Sequence, residues 1–323
     1  MAESVNIANH SVGPGHPCLI IAEAGVNHNG DTEMALRLVG AAADAKADVV
    51  KFQTFKGEKL ASAEAPKAAY QLQQTDQEES QQEMLRRLEL TPAMHEAIRE
   101  RCNERGVVFA STPFEEHSAD YLNEFGMAFF KIPSGEVNNF PFLEHVAKMG
   151  KPIILSTGMS SMDEVKAAVE AIRSAGNDDL VLLHCVSNYP ADPTDANLLA
   201  MKTMTETFDL PVGFSDHTMG MEVSFAAVAL GASVIEKHFT LDRTLPGPDH
   251  KASLEPEELA SWVAGIRKIE SALGDGRKRV VANEANTLKV IRKSLVAARD
   301  IESGAIIEAD MIMTDAAAEF GVD

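Results

Sequence analysis

The stretch PVGFSDHTMGMEVSFAAVALGASVIEKHFT (residues 211–240) contains one complete strand–helix–strand unit. Its two ends, PVGFSD (211–216) and SVIEKH (233–238), are short runs in which apolar residues are nearly continuous. Such runs are typical of parallel strands buried on both faces, and the segment between them predicts a helix. Each run is closed by polar residues, among them His217 and His238. The unit therefore predicts a parallel β/α fold with polar chemistry at the strand ends.

The same unit recurs along the chain. Further strands are predicted at 19–23, 48–53, 107–112, 128–133, 152–157 and 180–185, and the helices include 31–46, 91–105, 161–175 and 255–273. Eight strands alternating with helices over about 250 residues match a (β/α)8 TIM barrel. An open, doubly wound sheet is the alternative, but no strand is followed by the glycine-rich phosphate turn of that fold. We predict an α/β protein with the barrel over 1–280.

Composition and charge restrict the class of protein. The chain has 323 residues, 45% of them hydrophobic, and a formal net charge of −20. So acidic a chain is a poor candidate for binding nucleic acid, because phosphate neutralisation dominates that affinity. We expect no membrane partner, since no stretch has the length of a membrane span or the pattern of a signal peptide. Three scattered cysteines (Cys18, Cys102 and Cys185) fit a cytoplasmic protein.

Polar residues gather at the C-terminal end of every predicted strand. In chain order they are Glu23; Lys51 and Gln53; Ser111 and Thr112; Lys131 and Ser134; Ser156 and Thr157; His184; Ser215, Asp216 and His217; and Glu236, Lys237 and His238. In a TIM barrel these ends converge on one mouth, where the fold carries its active sites. The agreement of all eight strands indicates an enzyme.

His217 and His238 end neighbouring strands, so their imidazoles can meet at one metal ion. Two neutral imidazoles and a carboxylate such as Glu23 suit a divalent transition metal and leave positions for water or substrate. Spacing alone leaves zinc, manganese, iron and cobalt open. The alternative is that both histidines belong only to the hydrogen-bond network of the barrel.

Lys51, Lys131 and Lys237 are expected to bring cations to the mouth. The hydroxyls predicted beside them belong to Thr112, Ser134, Ser156 and Ser215. This combination suits a phosphate or a carboxylate, because charge-assisted hydrogen bonds are strong. Two alternatives stay open: structural ion pairs with Glu136 or Glu236, and a Schiff-base lysine as in an aldolase.

Three loops add further candidates. His28, in NHNG (27–30), either touches substrate or builds a tight turn. Asp249, in GPDH (247–250), is a candidate partner for substrate hydroxyls or a solvated loop carboxylate. The polar segment 54–90 exceeds an ordinary βα connection, so it predicts a lid, a binding wall or a solvated helical insertion.

The order of the motifs resembles that of a known family. The motifs are IAEAGVNHNG (21–30), VKFQTF (50–55), ESQQEMLRRLEL (79–90), FASTPFE (109–115), KIPSGE (131–136), ILSTGMS (154–160), HCVSNYP (184–190), GFSDHT (213–218), EKHFT (236–240) and PGPDH (246–250). Over about residues 7–312 they resemble the sialic acid (N-acetylneuraminate) synthases, including legionaminic acid synthases. Family members carry an antifreeze-like (SAF) domain after the barrel. The resemblance implies a linker at 281–291 and the start of a truncated antifreeze-like domain at 292–323.

The resemblance also implies a reaction. Phosphoenolpyruvate would condense with an N-acylated hexose, either N-acetylmannosamine or a 2,4-diacetamido relative, giving a sialic-acid-type 2-keto acid and phosphate. A divalent metal, manganese in most of the family with magnesium or cobalt as alternatives, would bind His217 and His238. Phosphoenolpyruvate would bind Lys51, Thr112, Lys131, Ser134, Ser156 and Ser215, with Ser187 at a position where some members carry asparagine. Around the metal, the sugar and the reacting carbons would lie Glu23, Gln53, Glu136, Tyr189, Glu236 and Asp249.

The C-terminal segment departs from the family pattern. In the family, this domain crosses to the partner in a homodimer and presents an arginine to the sugar, whereas no arginine follows residue 312 here. We expect a homodimer whose domain swap is lost or weakened, and impaired sugar binding. Two other functions stay open: another phosphoenolpyruvate-dependent keto-sugar synthase or metal aldolase, and a non-catalytic carbohydrate-binding barrel.

Overall fold

The computed structural model describes residues 2–60 and 79–316, and it contains all eight strands predicted for the barrel. A short hairpin comes first, formed by Val5–Ile7 (β1) and His10–Val12 (β2). The barrel strands are Leu19–Gly25 (β3), Val49–Thr54 (β4), Val108–Pro113 (β5), Phe130–Ile132 (β6), Ile153–Ser156 (β7), Leu180–Cys185 (β8), Val212–Asp216 (β9) and Val234–His238 (β10). The largest difference from prediction is β6, which is shorter than the expected 128–133.

Helices connect the strands in the predicted order. Among the described residues up to Leu273, the α-helices are Thr32–Asp44 (α1), Gly57–Leu60 (α2), Gln81–Arg87 (α3), Pro92–Arg105 (α4), Glu116–Glu124 (α5), Phe140–Ala147 (α6), Met162–Ser174 (α7), Ala200–Phe208 (α8), Glu222–Ala229 (α9) and Pro256–Leu273 (α10). Side-chain caps start several of them: for example, Thr91 accepts from the Met94 amide, and Ser161 forms a capping box with Glu164. Of the predicted 54–90 insertion, residues 61–78, with Tyr70, lie outside the described part.

The strand order identifies a barrel rather than an open sheet. β3 pairs in parallel both with β4, the next strand in the chain, and with β10, the last one. The ring is nearly closed, because β5 and β6 lie side by side without paired strand hydrogen bonds. At this seam the Ser111 amide of β5 donates to Met127 Sδ at 3.2 Å instead of to a carbonyl.

The lower half of the barrel interior is an apolar plug. The buried residues that form it are Val5, Ile7, Val12, Leu19, Ile21, Val49, Ala110, Phe129, Ile154, Val181, Leu183 and Val234. Three of these come from the hairpin, which therefore closes the N-terminal end of the cylinder. Gly213 of β9 is required there, because a Cβ at this position would lie 2.3 Å from the Val234 carbonyl oxygen. We call this cluster the floor.

The chain divides into two compact units, Met1–Leu273 and Gly274–Asp323. In the second unit, Lys293–Ala297 (β11) pairs antiparallel with Ile312–Ala316 (β12), after the helix Ala285–Ile291 (α11). Its assignment as the start of an antifreeze-like domain stays a prediction. Within residues 2–60 and 79–316, no helix combines the length and apolar character that crossing a membrane requires.

Candidate active site

The upper half of the barrel interior is a polar cavity of about 310 Å³. Alternate residues of a strand point to opposite faces, so each strand that begins with an inward apolar residue ends with an inward polar one. The lining residues are Glu23, Lys51, Gln53, Thr112, Phe114, Lys131, Pro133, Ser134, Gly135, Ser156, Met159, Cys185, Ser187, Tyr189, Ser215, His217, Glu236 and His238. The cavity therefore unites most of the residues that the sequence predicted at the strand ends. We call it the mouth.

Two lysines and two glutamates form a buried charge cluster in the mouth. Lys51 Nζ lies 2.7 Å from Glu23 Oε2 and 3.7 Å from Glu236 Oε2, and it donates to Thr112 Oγ1 at 2.9 Å. Lys131 Nζ lies 3.5 Å from Glu236 Oε1. The lysines therefore form ion pairs, but with Glu23 and Glu236 rather than with Glu136.

The two carboxylates of this cluster have different proton affinities. Burial raises the pKa of Glu23 to about 7, although Lys51 opposes the shift. Burial also disfavours charge on Glu236, but Lys131 and Lys51 together with the Ser215 hydroxyl outweigh it and lower the pKa to about 2. Glu236 is therefore a fixed anion, whereas Glu23 can exchange a proton near neutral pH.

The two lysines also differ. Burial opposes the charge on Lys51, yet Glu23 and Glu236 raise its pKa above the ordinary lysine value. Burial lowers the pKa of Lys131, and Glu236 compensates only in part. The neighbouring carboxylates thus stabilise the positive charge of Lys131 less than that of Lys51. A bound anion would stabilise the Lys131 charge and raise its pKa again.

Hydroxyl and amide groups form a cradle beside Lys131. Ser134 Oγ accepts from the Gly158 amide at 2.9 Å and lies 3.2 Å from Cys185 Sγ. Ser156 Oγ is buried and has no hydrogen-bond partner within the described residues. A Cβ on residue 158 would lie 2.3 Å from Ser187 Oγ, so only glycine leaves this space open. The cradle suits the oxygens of an anion.

His217 and His238 lie side by side at the ends of the neighbouring strands β9 and β10, with ring centroids 5.7 Å apart. His217 Nδ1 lies 2.7 Å from the Val186 carbonyl oxygen, so this nitrogen carries the proton, and Nε2, which lies 3.5 Å from Ser215 Oγ, keeps the lone pair that a metal would need. His238 Nδ1 is buried without a hydrogen-bond partner in the described chain. Burial lowers the pKa of both rings, which keeps them neutral as metal ligation requires.

The donor set therefore fits a divalent metal through two imidazoles. No group of three or more His, Cys, Asp or Glu side chains that could hold an ion occurs among residues 2–60 and 79–316. Glu23, considered above as a third ligand, instead pairs with Lys51. Water or substrate oxygens would have to complete the coordination.

Tyr189 packs on both imidazoles. Its ring centroid lies 4.2 Å from that of His217 and 5.7 Å from that of His238. The aromatic ring thus fixes the orientation of the histidine pair and forms one wall of the mouth.

Several strand-end residues point out of the barrel, and the expectation that all of them meet at the mouth was wrong. Lys237 pairs with Asp216 behind the sheet, and His184 Nε2 lies 2.8 Å from the Ala196 carbonyl oxygen. Ser111 Oγ bonds Thr54, whose hydroxyl lies 2.9 Å from His95 Nε2. The two-residue period of a strand explains this, because a residue next to an inward one must face outward.

Three other candidates lie off the cavity wall. The Glu136 carboxylate accepts from Asn139 Nδ2 at 2.7 Å, and the residue does not line the mouth. Asp249 is buried near the top of β3, and burial raises its pKa to about 6 while Lys51 opposes the shift. His28 is buried and accepts from the Gly30 amide at 3.0 Å, so it builds the turn of its loop.

Sequence reasoning missed Phe114, Met159 and Cys185 as lining residues. Their side chains are apolar or weakly polar, so a search for polar strand ends could not select them. Met159 is 73% exposed and has a positive φ of 62°, a left-handed conformation that disfavours side chains other than glycine. It places a flexible thioether at the rim of the mouth.

A sequence profile of the NeuB family matches residues 38–278, which include β4–β10 and most of the mouth. The chain belongs to the NeuB family. This confirms the family predicted from the ordered motifs. The profile match and the strand order of this NeuB-family chain are independent observations, and both locate the barrel in the same part of the sequence.

Relatives match this NeuB-family chain over most of its length. The N,N'-diacetyllegionaminic acid synthase of Campylobacter jejuni subsp. jejuni serotype O:2 is 49% identical over 298 residues, covering 92% of this chain and 89% of that protein. The N,N'-diacetyllegionaminic acid synthase of Legionella pneumophila subsp. pneumophila is 48% identical over 301 residues, covering 92% and 85%. A crystal structure of N-acetylneuraminic acid (sialic acid) synthetase from Leptospira borgpetersenii serovar Hardjo-bovis, in complex with citrate, matches with a TM-score of 0.80 and 36% identity, covering 89% of this chain and 96% of that one.

Proposed function

We propose that this chain is a phosphoenolpyruvate-dependent nonulosonic acid synthase. It condenses phosphoenolpyruvate with a 2,4-diacetamido hexose to form an N,N'-diacetyllegionaminate-type 2-keto acid and phosphate. The two relatives with 48–49% identity, both named for that product, favour this sugar over N-acetylmannosamine. The observation that carries the reaction is one cavity that holds three features: Lys131, whose charge is only partly paired; Ser156, whose hydroxyl has no partner among the described residues; and two neutral imidazoles.

The phosphoenolpyruvate site lies in the cradle beside Lys131. Its trianion needs cations and hydrogen-bond donors, which Lys131 and the hydroxyls of Ser134 and Ser156 supply, while the Gly158 amide holds Ser134 in place. Lys51 lies on the other side of Glu236, where it donates to Thr112. Preorganised donors of this kind stabilise developing charge without reorganising during the reaction.

His217 and His238 would hold a divalent cation, with manganese as the first candidate and magnesium or cobalt as alternatives. When bound, the cation would act as a Lewis acid on the aldehyde oxygen of the open-chain sugar. The Val186 carbonyl keeps His217 in the tautomer that ligation needs, and Tyr189 holds both rings in place.

The chemistry consists of one carbon–carbon bond formation followed by hydrolysis. Carbon 3 of phosphoenolpyruvate attacks the aldehyde carbon, and solvent protonates the resulting alkoxide. Water then adds to the cationic carbon 2 and loses its proton to Glu23, whose pKa of about 7 suits a general base. The carbon–oxygen bond to the phosphate then breaks while the new hydroxyl on carbon 2 passes its proton to the departing phosphate, which leaves the 2-keto group and releases phosphate. Lys131 and Lys51 balance the phosphate charge throughout.

A phosphate-release assay across a panel of amino sugars tests this function. We expect release only when phosphoenolpyruvate, a divalent metal and a 2,4-diacetamido hexose are all present, and slower release with N-acetylmannosamine. Product formation from pyruvate and sugar without phosphate release would instead identify an aldolase. Binding of sugar with no turnover under any condition would identify a non-catalytic barrel.

Two further expectations accompany this function. The three cysteines are free in the structure, which supports a reducing, cytoplasmic location. A homodimer is expected from the family resemblance, and sedimentation analysis of the purified chain tests it.

A further inference from the structure

A buried ion pair lies directly behind the histidine pair, on the outer face of the barrel. Lys237 Nζ lies 2.9 Å from Asp216 Oδ2, and the two side chains are 1% and 0% exposed. The residues are direct cross-strand partners in the β9–β10 register. Each immediately precedes one of the histidines, since Asp216 is followed by His217 and Lys237 by His238.

This ion pair is tied to the turn that carries His217. Lys237 Nζ donates to the Thr218 carbonyl oxygen at 2.6 Å, while Asp216 Oδ1 accepts from the Thr218 amide at 2.9 Å and from its hydroxyl at 2.7 Å. Asp216 Oδ2 also accepts from Ser224 of α9 at 2.5 Å. The two chain neighbours of His217, Asp216 and Thr218, are therefore both held by this hydrogen-bond network.

The opposite side of His217 is fixed as well. Its Nδ1 bonds the Val186 carbonyl, and its own carbonyl accepts from the Ala191 amide at 2.9 Å. The ring is thus held by the β8 loop on one side and by the Lys237–Asp216 network on the other. His238 is held through its chain neighbour Lys237.

We propose that Lys237 and Asp216 are positioning residues that set the spacing and orientation of His217 and His238 for metal binding. The inference rests on the proposed function only in that the two histidines bind a metal. Neither residue lines the cavity, so neither touches substrate. Removing one partner of a buried pair leaves an unpaired charge, whereas replacing both by neutral groups of similar shape is tolerated. This difference separates positioning from general stability.

The test compares Mn²⁺ binding with thermal stability. Wild type, Lys237→Met, the double variant Asp216→Asn/Lys237→Met and His217→Ala are titrated with Mn²⁺, and the free ion is followed by its electron paramagnetic resonance signal. The matched control is Asp48→Asn/Arg267→Met, which removes an ion pair at the opposite ends of the strands, where Arg267 Nη2 lies 2.6 Å from Asp48 Oδ2.

We expect the single Lys237→Met variant to lose both stability and Mn²⁺ affinity. The double variant should recover most of the melting temperature yet bind Mn²⁺ about 10-fold more weakly. That is the lower end of the range for partners bonded to a ligand itself, because this pair acts on the histidines through the backbone. The control should bind Mn²⁺ as wild type does, within twofold. If the Lys237 variants do not fold, Ser224→Ala removes one bond to Asp216 and should weaken Mn²⁺ binding severalfold in a folded protein.

Two results would overturn different claims. A folded double variant, or Ser224→Ala in its place, that binds Mn²⁺ with wild-type affinity overturns the positioning role and leaves the proposed function intact. Wild-type Mn²⁺ affinity in His217→Ala overturns the metal site itself, and the positioning role with it.

Discussion

The floor and the mouth occupy the two halves of one barrel interior but bury opposite kinds of side chain. Phe129 of the floor and Lys131 of the mouth are only two residues apart, and both are almost fully buried. An apolar side chain such as Phe129 stabilises the fold by about 1.5–3 kcal/mol on burial, whereas a buried ammonium is costly unless it is paired. The residues that stabilise the fold thus fill one half of the barrel interior, and the residues suited to chemistry line the other half, only a few ångströms away.

Removing an aromatic ring from the floor should have the largest effect on stability. Phe129→Ala is expected to cost about 3–5 kcal/mol of unfolding free energy, because it leaves a cavity in the closed plug. The folded fraction should keep the wild-type kcat. Urea unfolding combined with phosphate release at low temperature measures both. A folded Phe129→Ala protein with a strongly reduced kcat would break the proposed separation.

Neutralising the cation in the mouth should give the reverse result. Lys131→Met is expected to lower kcat/KM about 10²–10³-fold, as the loss of a preorganised donor does. The melting temperature should change little, because Lys51 still pairs with Glu236 and burial already disfavours the Lys131 ammonium. Lys166→Met, on the exposed face of α7, serves as the control and should change neither quantity. A parallel loss of stability and activity in Lys131→Met would contradict the comparison.

The pH dependence of Glu23 gives a smaller effect. Its pKa is about 7 when folded and 4.5 as the ordinary value, so the folded chain binds more protons between these limits. The extra proton on Glu23 therefore stabilises the folded state fully below pH 4.5, and this stabilisation is lost as pH rises through 7. Through this titration, wild type should lose about 2 kcal/mol of unfolding free energy between pH 5 and 8, and Glu23→Gln should not.

The rate should respond to the same carboxyl group. Wild-type kcat is expected to rise through about pH 7 as Glu23 becomes the base, and Glu23→Gln should be nearly inactive at every pH. Denaturant melts and rate profiles of the two proteins, each from pH 5 to 8, make the measurement. A rising limb that persists in Glu23→Gln would assign the titration to another group.

The rim of the mouth should show the smallest effect. Met159 has a left-handed backbone, so Met159→Gly is expected to stabilise the protein by about 0.5–1 kcal/mol by relieving strain. Met162→Gly, in the first turn of α7, is the control and should destabilise by a similar amount. Thermal melts in parallel compare them. Loss of stability in Met159→Gly would show that the thioether makes contacts worth more than the strain.

The strand positions and the polar mouth were predictable because each strand carries its own signal: an apolar run and then a polar end. The direction of each side chain was less well predicted. Once His238 is taken to face inward, the two-residue period places Lys237 outside, so the sequence contained that information. The seam between β5 and β6 could not be predicted, because it depends on where Met127 packs in three dimensions. The conformation of Met159 has no sequence signal either.

The hairpin closes the N-terminal end of the barrel interior, so the described residues leave the cradle beside Lys131 open only toward the C-terminal end. If the reaction proposed above takes place here, a sugar bound nearer the opening would cover an anion bound in the cradle. We therefore expect the anion to bind before the sugar, whereas a barrel open at both ends would allow either order.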